Sequence, residues 1–271
     1  MLRAELLNIF STTAAKVTAV LALIGLIATQ LAFVSLLPAI MRGDIGGEEG
    51  AAEGLMFDLS ASATQLDALS PLGASMSGGS VGIAILAVTI LGVLAGTSDY
   101  TSGGIVGAAL AAPRRWQIVA AKAGASGITG LILGAALGLV STAILLVTLA
   151  VSGTPFAPDV AESAAVVARG VVAVTSLVLI GLAVGMLTRS QLAGVLVVLT
   201  VMLAEPIIAA VTQLSTGTVP LWTQLLPVAL AHATIGAGPT VLPPLTAGAI
   251  LLAVTVVALG AATVVVRRRD I

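Results

Sequence analysis

Asp99-Tyr-Thr-Ser-Gly-Gly-Ile-Val-Gly-Ala-Ala-Leu-Ala-Ala-Pro-Arg-Arg-Trp-Gln-Ile-Val-Ala-Ala-Lys122 separates two apolar runs, Val81 to Gly96 and Ala123 to Ser152, neither of which holds a charge. Between them stand a carboxylate, a phenol, a short amphipathic segment, a proline, two arginines and a tryptophan. That composition reads as a short polar-faced hairpin at a membrane surface, between two spanning helices. The pair Arg114-Arg115 puts the hairpin on the cytoplasmic side, because short loops rich in Lys and Arg stay inside.

Working outward, the whole chain fits that reading. Its 271 residues are 58% hydrophobic and 8% charged, with mean hydropathy +1.18. Soluble domains carry about 25% charge. Several apolar runs reach the ~20 residues needed to cross ~30 Å of hydrocarbon. The expected class is an all-α polytopic membrane protein, one transmembrane domain over residues 1–271. The chain has no cysteine, which excludes disulfides, iron–sulfur clusters and thiol catalysis. Its one histidine, His232, cannot make a two-histidine zinc site. Its two lysines, Lys16 and Lys122, do not follow a glycine, so the phosphate-cradling Gly-x-x-x-x-Gly-Lys loop is missing. ATP is not expected to bind here in that way.

Before the first span, Leu2, Leu6, Ile9 and Phe10 recur at helical spacing. Residues 1–16 suit a helix lying in the inner interface, or the frayed start of the first span. Val17 to Met41 is that span. It begins too late and runs too long for a cleaved signal peptide. Residues 42–79 hold Asp44, Glu48, Glu49, Glu53, Asp58 and Asp67 against Arg42 alone, an acidic loop that belongs outside. It lacks the glycine-spaced acids of an EF-hand, so a solvated loop is favoured over a calcium site. Leu59, Leu66 and Leu69 mark one short surface helix, stopped by Pro71.

The second span is Val81 to Ser98 and the third Ile118 to Val151. Gly130, Gly134 and Gly138 give the third a small-xxx-small ridge, repeated by Gly181 and Gly185 in the fourth (Ala164 to Thr188); both read as helix packing inside the bundle. Arg169 lies near the outer end of the fourth span, where it can snorkel. The fifth, Gln191 to Ala210, is expected to break at Glu205-Pro206. Residues 211–244 carry five prolines and read as two short re-entrant helices dipping into the outer leaflet. Leu245 to Val266 is the sixth span, stopped by Arg267, Arg268 and Arg269. In this topology Arg3, Lys16, Arg114, Arg115, Lys122, Arg189 and Arg267 to Arg269 lie inside, and only Arg42 and Arg169 outside. That bias supports six spans with both termini cytoplasmic.

Glu205 is the one acid within a span. An intramembrane carboxylate suggests function by default. It either lines a pathway as a gate or substrate contact, with Pro206 loosening the helix, or caps the short helix that follows. Gln30, deep in the first span, is a weaker polar mark of the same pathway or of a hydrogen bond between helices.

The hairpin resembles the segment after the second span in permease subunits of type-2, export-class ATP-binding-cassette transporters. The residues that carry the resemblance are Asp99, Gly103-Gly104, Pro113-Arg114-Arg115 and Lys122. Glu5, Asn8, Ser11 and Thr12 are similar to the family's interfacial elbow. Asp99 replaces the family's more usual glutamate, and Gly104 its threonine. The resemblance implies a coupling hairpin over residues 99–122 that docks on a separate nucleotide-binding ATPase subunit. In that reading Asp99 and Tyr100 link the hairpin to the elbow, and Ile105 to Ala112, Leu110 included, inserts into the partner. Arg114, Arg115 and Trp116 then anchor it at headgroups. ATP and magnesium are expected on the partner, and no cofactor, metal or nucleic acid on this chain. A second permease copy, identical or similar, completes the path, with the second and fifth spans nearest to it. The expectation is a plasma-membrane exporter of a hydrophobic or amphipathic substrate, such as a drug or lipid-like molecule. The alternatives are an ion- or proton-coupled secondary transporter, which should show several midplane ionisable groups and internal repeats, or a non-transporting scaffold.

Overall fold

A computed structural model of the chain describes residues 2–36, 39, 58–73, 82–102, 116–217, 220–236 and 242–268. The helices are α1 (Leu2–Ser11), α2 (Thr13–Gln30, continued by a π-helical turn Leu31–Leu36), α3 (Ser62–Ala68), α4 (Ile83–Ser102), α5 (Trp116–Ser152) and α6 (Val160–Thr188). They are followed by α7 (Gln191–Thr216), a 3-10 turn Leu221–Leu225, α8 (Pro227–Ile235) and α9 (Pro244–Arg268). No strand occurs among the described residues. Six helical stretches are long and apolar enough to cross a membrane: Thr13–Leu36, Ile83–Tyr100, Trp116–Ser152, Val160–Thr188, Gln191–Ser215 and Pro244–Val266. The protein is an all-α, multi-pass membrane protein.

α6 is the axis of the bundle, and glycines put it there. A Cβ on Gly92 would lie 2.0 Å from the Val178 carbonyl oxygen, and one on Gly181 2.0 Å from that of Thr89. Gly96 and Gly185 repeat this one turn on, against Leu182 and Val93. α4 and α6 therefore touch backbone to backbone, each supplying the other's gap. Without a hydrophobic drive between helices in lipid, such close approach is what holds spans together. On another side of α6, Gly130, Gly134 and Gly138 of α5 meet Thr175, Val171 and Val167. The ridge expected from sequence packs α5 on α6. At one end α6 is also covered from the loop side, where Gly170 receives the Pro71 ring.

Two local expectations change, and one pair of alternatives is decided. α7 does not break at Glu205-Pro206 but runs through Pro206 to Thr216, so it takes up the first residues of the 211–244 segment. Pro206 has no N–H for the Met202 carbonyl, a defect that packed neighbours tolerate at membrane depth. α3 is shorter than the leucines suggested: it begins after Leu59 and ends before Leu69, with Leu59, Leu66 and Leu69 buried and Ala63 exposed. Gln30 and Ser141 bond the carbonyls of Ala68 and Leu69 and tie this segment to α2 and α5. The chain before the first span is a separate helix rather than a frayed start, since Thr12 is extended (φ −72°, ψ 131°) between α1 and α2. Asp44, Glu48, Glu49 and Glu53 lie outside the described residues.

Candidate functional site

Lys122, near the start of α5, is 4% exposed. Its Nζ lies 3.0 Å from Asp99 Oδ2 in the last turns of α4 and 3.1 Å from Glu5 Oε2 on α1. It also donates to the Ala95 carbonyl and to Ser98 Oγ, each at 3.3 Å. A buried ammonium is tolerated only when paired and hydrogen-bonded. Two carboxylates and two further oxygens meet that demand, and they come from two other helices. α1 is thereby tied to the spans at the place where α4 ends and α5 begins.

The next residue along α4 meets a second cation. The Arg189 guanidinium lies 5.6 Å from the Tyr100 ring centroid, within reach of a cation–π contact. Arg189 ends α6 in the left-handed conformation, φ 55°. α7 and α8 end in the same conformation on Gly217 and Gly236, the residue that adopts it without penalty. α6 ends on an arginine instead, and its Nε is buried with no hydrogen-bond partner among the described residues. Thus neighbouring residues Asp99 and Tyr100 are held by cations from two different helices. Gly103, Gly104, Ile105, Leu110, Pro113, Arg114 and Arg115, the body of the expected coupling hairpin, lie outside the described residues.

A second charged arrangement lies within the bundle. Glu205 is 4% exposed. Its carboxylate accepts the backbone N–H of Val228 at 3.1 Å and of Ala229 at 2.5 Å. These are donors in the first turn of α8 that have no partner within the helix. At the other end of α8, Arg169 Nε donates to the Ile235 carbonyl at 2.9 Å. Arg169 therefore does not simply snorkel outward; it bonds protein. An anion at a helix N-terminus and a cation at its C-terminus both suit the macrodipole. α8 is held at both ends by charges from α7 and α6, and Val228 and Leu230 to Ile235 are buried. At ~1.5 Å per residue, Glu205 stands ~21 Å along α7 from Gln191, and Arg169 ~28 Å along α6 from Thr188. The turn after α8 is tight: a Cβ on Gly236 would lie 2.3 Å from Pro244 Cγ.

Gln30 is fully buried. Its Nε2 donates to the Ala68 carbonyl at 2.7 Å, which joins α2 to α3. Its Oε1 has no partner among the described residues. Among those residues no three His, Asp or Glu side chains gather as a metal-binding set would.

The structure brings together Asp99, Tyr100 and Lys122 from the expected coupling residues, and it separates them from Glu205, Pro206 and Gln30. Residue-type reasoning did not reach the Glu5–Lys122 pair, Ser98, the Arg189–Tyr100 contact or the Arg169–Ile235 bond. The Gly92–Gly96 spacing was visible in sequence as another small-xxx-small pair. No protein-family model matches the chain, and no curated protein matches it.

Proposed function

We propose that the chain is the permease subunit of a type-2, export-class ATP-binding-cassette transporter, driven by a separate nucleotide-binding ATPase subunit. The observation that carries the reading is the Lys122 junction. Helices α4 and α5 flank residues 103–115, and Lys122 and Asp99 clamp their ends together and to α1. A segment pushed by a partner needs a stiff base, or the push is lost in local bending. A buried ammonium with four oxygen partners from two other helices supplies one.

In this reading the basic end of the bundle faces the cytoplasm, which the distribution of Lys and Arg supports, and the membrane is the plasma membrane. ATP and magnesium bind the partner. Two permease chains, identical or similar, enclose the path. α8 is the re-entrant helix at the outer side, fixed by Glu205 and Arg169. Glu205 acts there as a helix cap, accepting from Val228 and Ala229. The apolar spans fit a hydrophobic or amphipathic substrate.

The test is uptake of a hydrophobic fluorescent dye into inverted vesicles from the native host, compared with vesicles lacking the chain. Accumulation that needs ATP and survives collapse of the proton gradient supports the proposal. Accumulation driven by the gradient without ATP replaces it with a secondary transporter.

A further inference from the structure

A cavity of about 700 Å³ opens between the π-helical turn Leu31–Leu36 and the last turns of α5. Small-molecule pockets run from about 300 to 1,000 Å³. Leu31, Ile144, Val147 and Val151 give it apolar walls, and Ser35, Thr148 and Ser152 place hydroxyls on it; that of Ser152 is engaged by the Leu149 carbonyl and Thr154 Oγ1. Three observations say what it holds.

The first is chemistry. Ser35 Oγ and Thr148 Oγ1 lie 3.0 Å apart. Two hydroxyls carry two hydrogens, and their mutual bond uses one. The other has no acceptor among the described residues. The site asks for a molecule with an apolar body and an acceptor oxygen at one end.

The second is depth. Thr148 stands ~39 Å along α5 from Lys122. A bilayer is about 40–45 Å thick with its headgroup regions. With Lys122 at one interface, the hydroxyl pair falls at the other, at the level where glycerol esters of lipids lie. The third is shape. The π turn widens α2 at this point, a deviation often found at functional sites, directly after Gln30, which is bonded to the Ala68 carbonyl.

We propose that this cavity is a binding site for one acyl chain of a bilayer glycerolipid, with the ester carbonyl accepting from the Ser35–Thr148 pair. The site does not depend on the ATP-driven reading; it would serve any membrane protein with this fold.

The full chain is placed in phosphatidylcholine nanodiscs doped with phosphatidylcholine carrying a photoactivatable acyl chain, and adducts are mapped by mass spectrometry. Val256 and Val257 on α9, both well exposed, report ordinary bilayer contact. Adducts on the Ile144–Val151 peptide should exceed those at Val256–Val257 about fivefold, a ratio in line with one retained hydrogen bond. Val147→Trp, which puts an indole into the cavity beside the hydroxyl pair, should abolish that excess, with α9 labelling and melting temperature unchanged. Ser35→Ala should reduce it. Equal labelling at both places, an excess that survives Val147→Trp, or cross-linking of this face to a second chain would each overturn the proposal.

Discussion

Lys122 and Asp99 form an ion pair of 3.0 Å across the junction of α4 and α5, and the same ammonium holds Glu5 of α1 at 3.1 Å. The lysine is more deeply buried than either acid. Its removal leaves two carboxylates facing each other without a cation. Breaking a buried pair costs ~3–5 kcal/mol; both acids here keep some access to water, so Lys122→Met should fall toward the low end. The triple variant Lys122→Met, Glu5→Gln, Asp99→Asn should recover much of the loss. Melting curves in detergent check both. A single variant as stable as wild type would show that the junction is not held by charge.

Glu205 is expected to matter as an acceptor. Glu205→Gln retains one acceptor oxygen for the first turn of α8, whereas Glu205→Ala leaves the Val228 and Ala229 N–H groups unsatisfied. Each orphaned buried donor costs about 1–3 kcal/mol. The alanine variant should melt well below the glutamine variant, and amide exchange at Val228 and Ala229 should accelerate in it. Similar losses in both would mean that the negative charge, and not its acceptors, is what α8 needs.

The six spans were legible because a run of twenty apolar residues has few other fates. The acid at Glu205 was legible as costly, and capping was one of its two readings. Only the fold decides between them, since the donors it meets lie on α8, beyond the end of its own helix. The break expected at Pro206 did not form: proline removes one N–H, and the helix continues on the bonds either side of it. Arg169 has an apolar neighbourhood in sequence and a carbonyl neighbour in space. Lys122 carried a family resemblance, yet nothing local says that its carboxylates come from α4 and from the first helix of the chain.

Glycine positions divide sharply by what surrounds them. Gly92→Ala and Gly181→Ala drive a methyl into the backbone of the facing helix, which has no rotamer to yield. Each should lower the melting temperature markedly. Gly127→Ala and Gly260→Ala meet nothing within 4 Å and should be neutral or stabilising by up to about 1 kcal/mol, the helix-propensity difference. Thermal unfolding of the four variants tests this. A destabilising Gly260→Ala would mean that α9 packs there on another chain.

Arg189→Gly should relieve a left-handed residue that costs roughly 1–2 kcal/mol, while losing the contact with Tyr100, worth about 0.5–1 kcal/mol at a partly exposed site. Stability should therefore change little or rise slightly. Activity in the vesicle assay should fall if the guanidinium is retained to hold Tyr100. Unchanged uptake would assign Arg189 to charge distribution alone.

The account turns on a partner chain. The most direct measurement is a mild-detergent pull-down of the tagged protein from its native membranes, with the co-purifying chains identified. Arg114→Glu, Arg115→Glu is run alongside as a double variant. The account predicts a nucleotide-binding ATPase subunit with the wild-type protein and a weakened yield with the variant. Wild-type protein that comes down intact with no such subunit would contradict it.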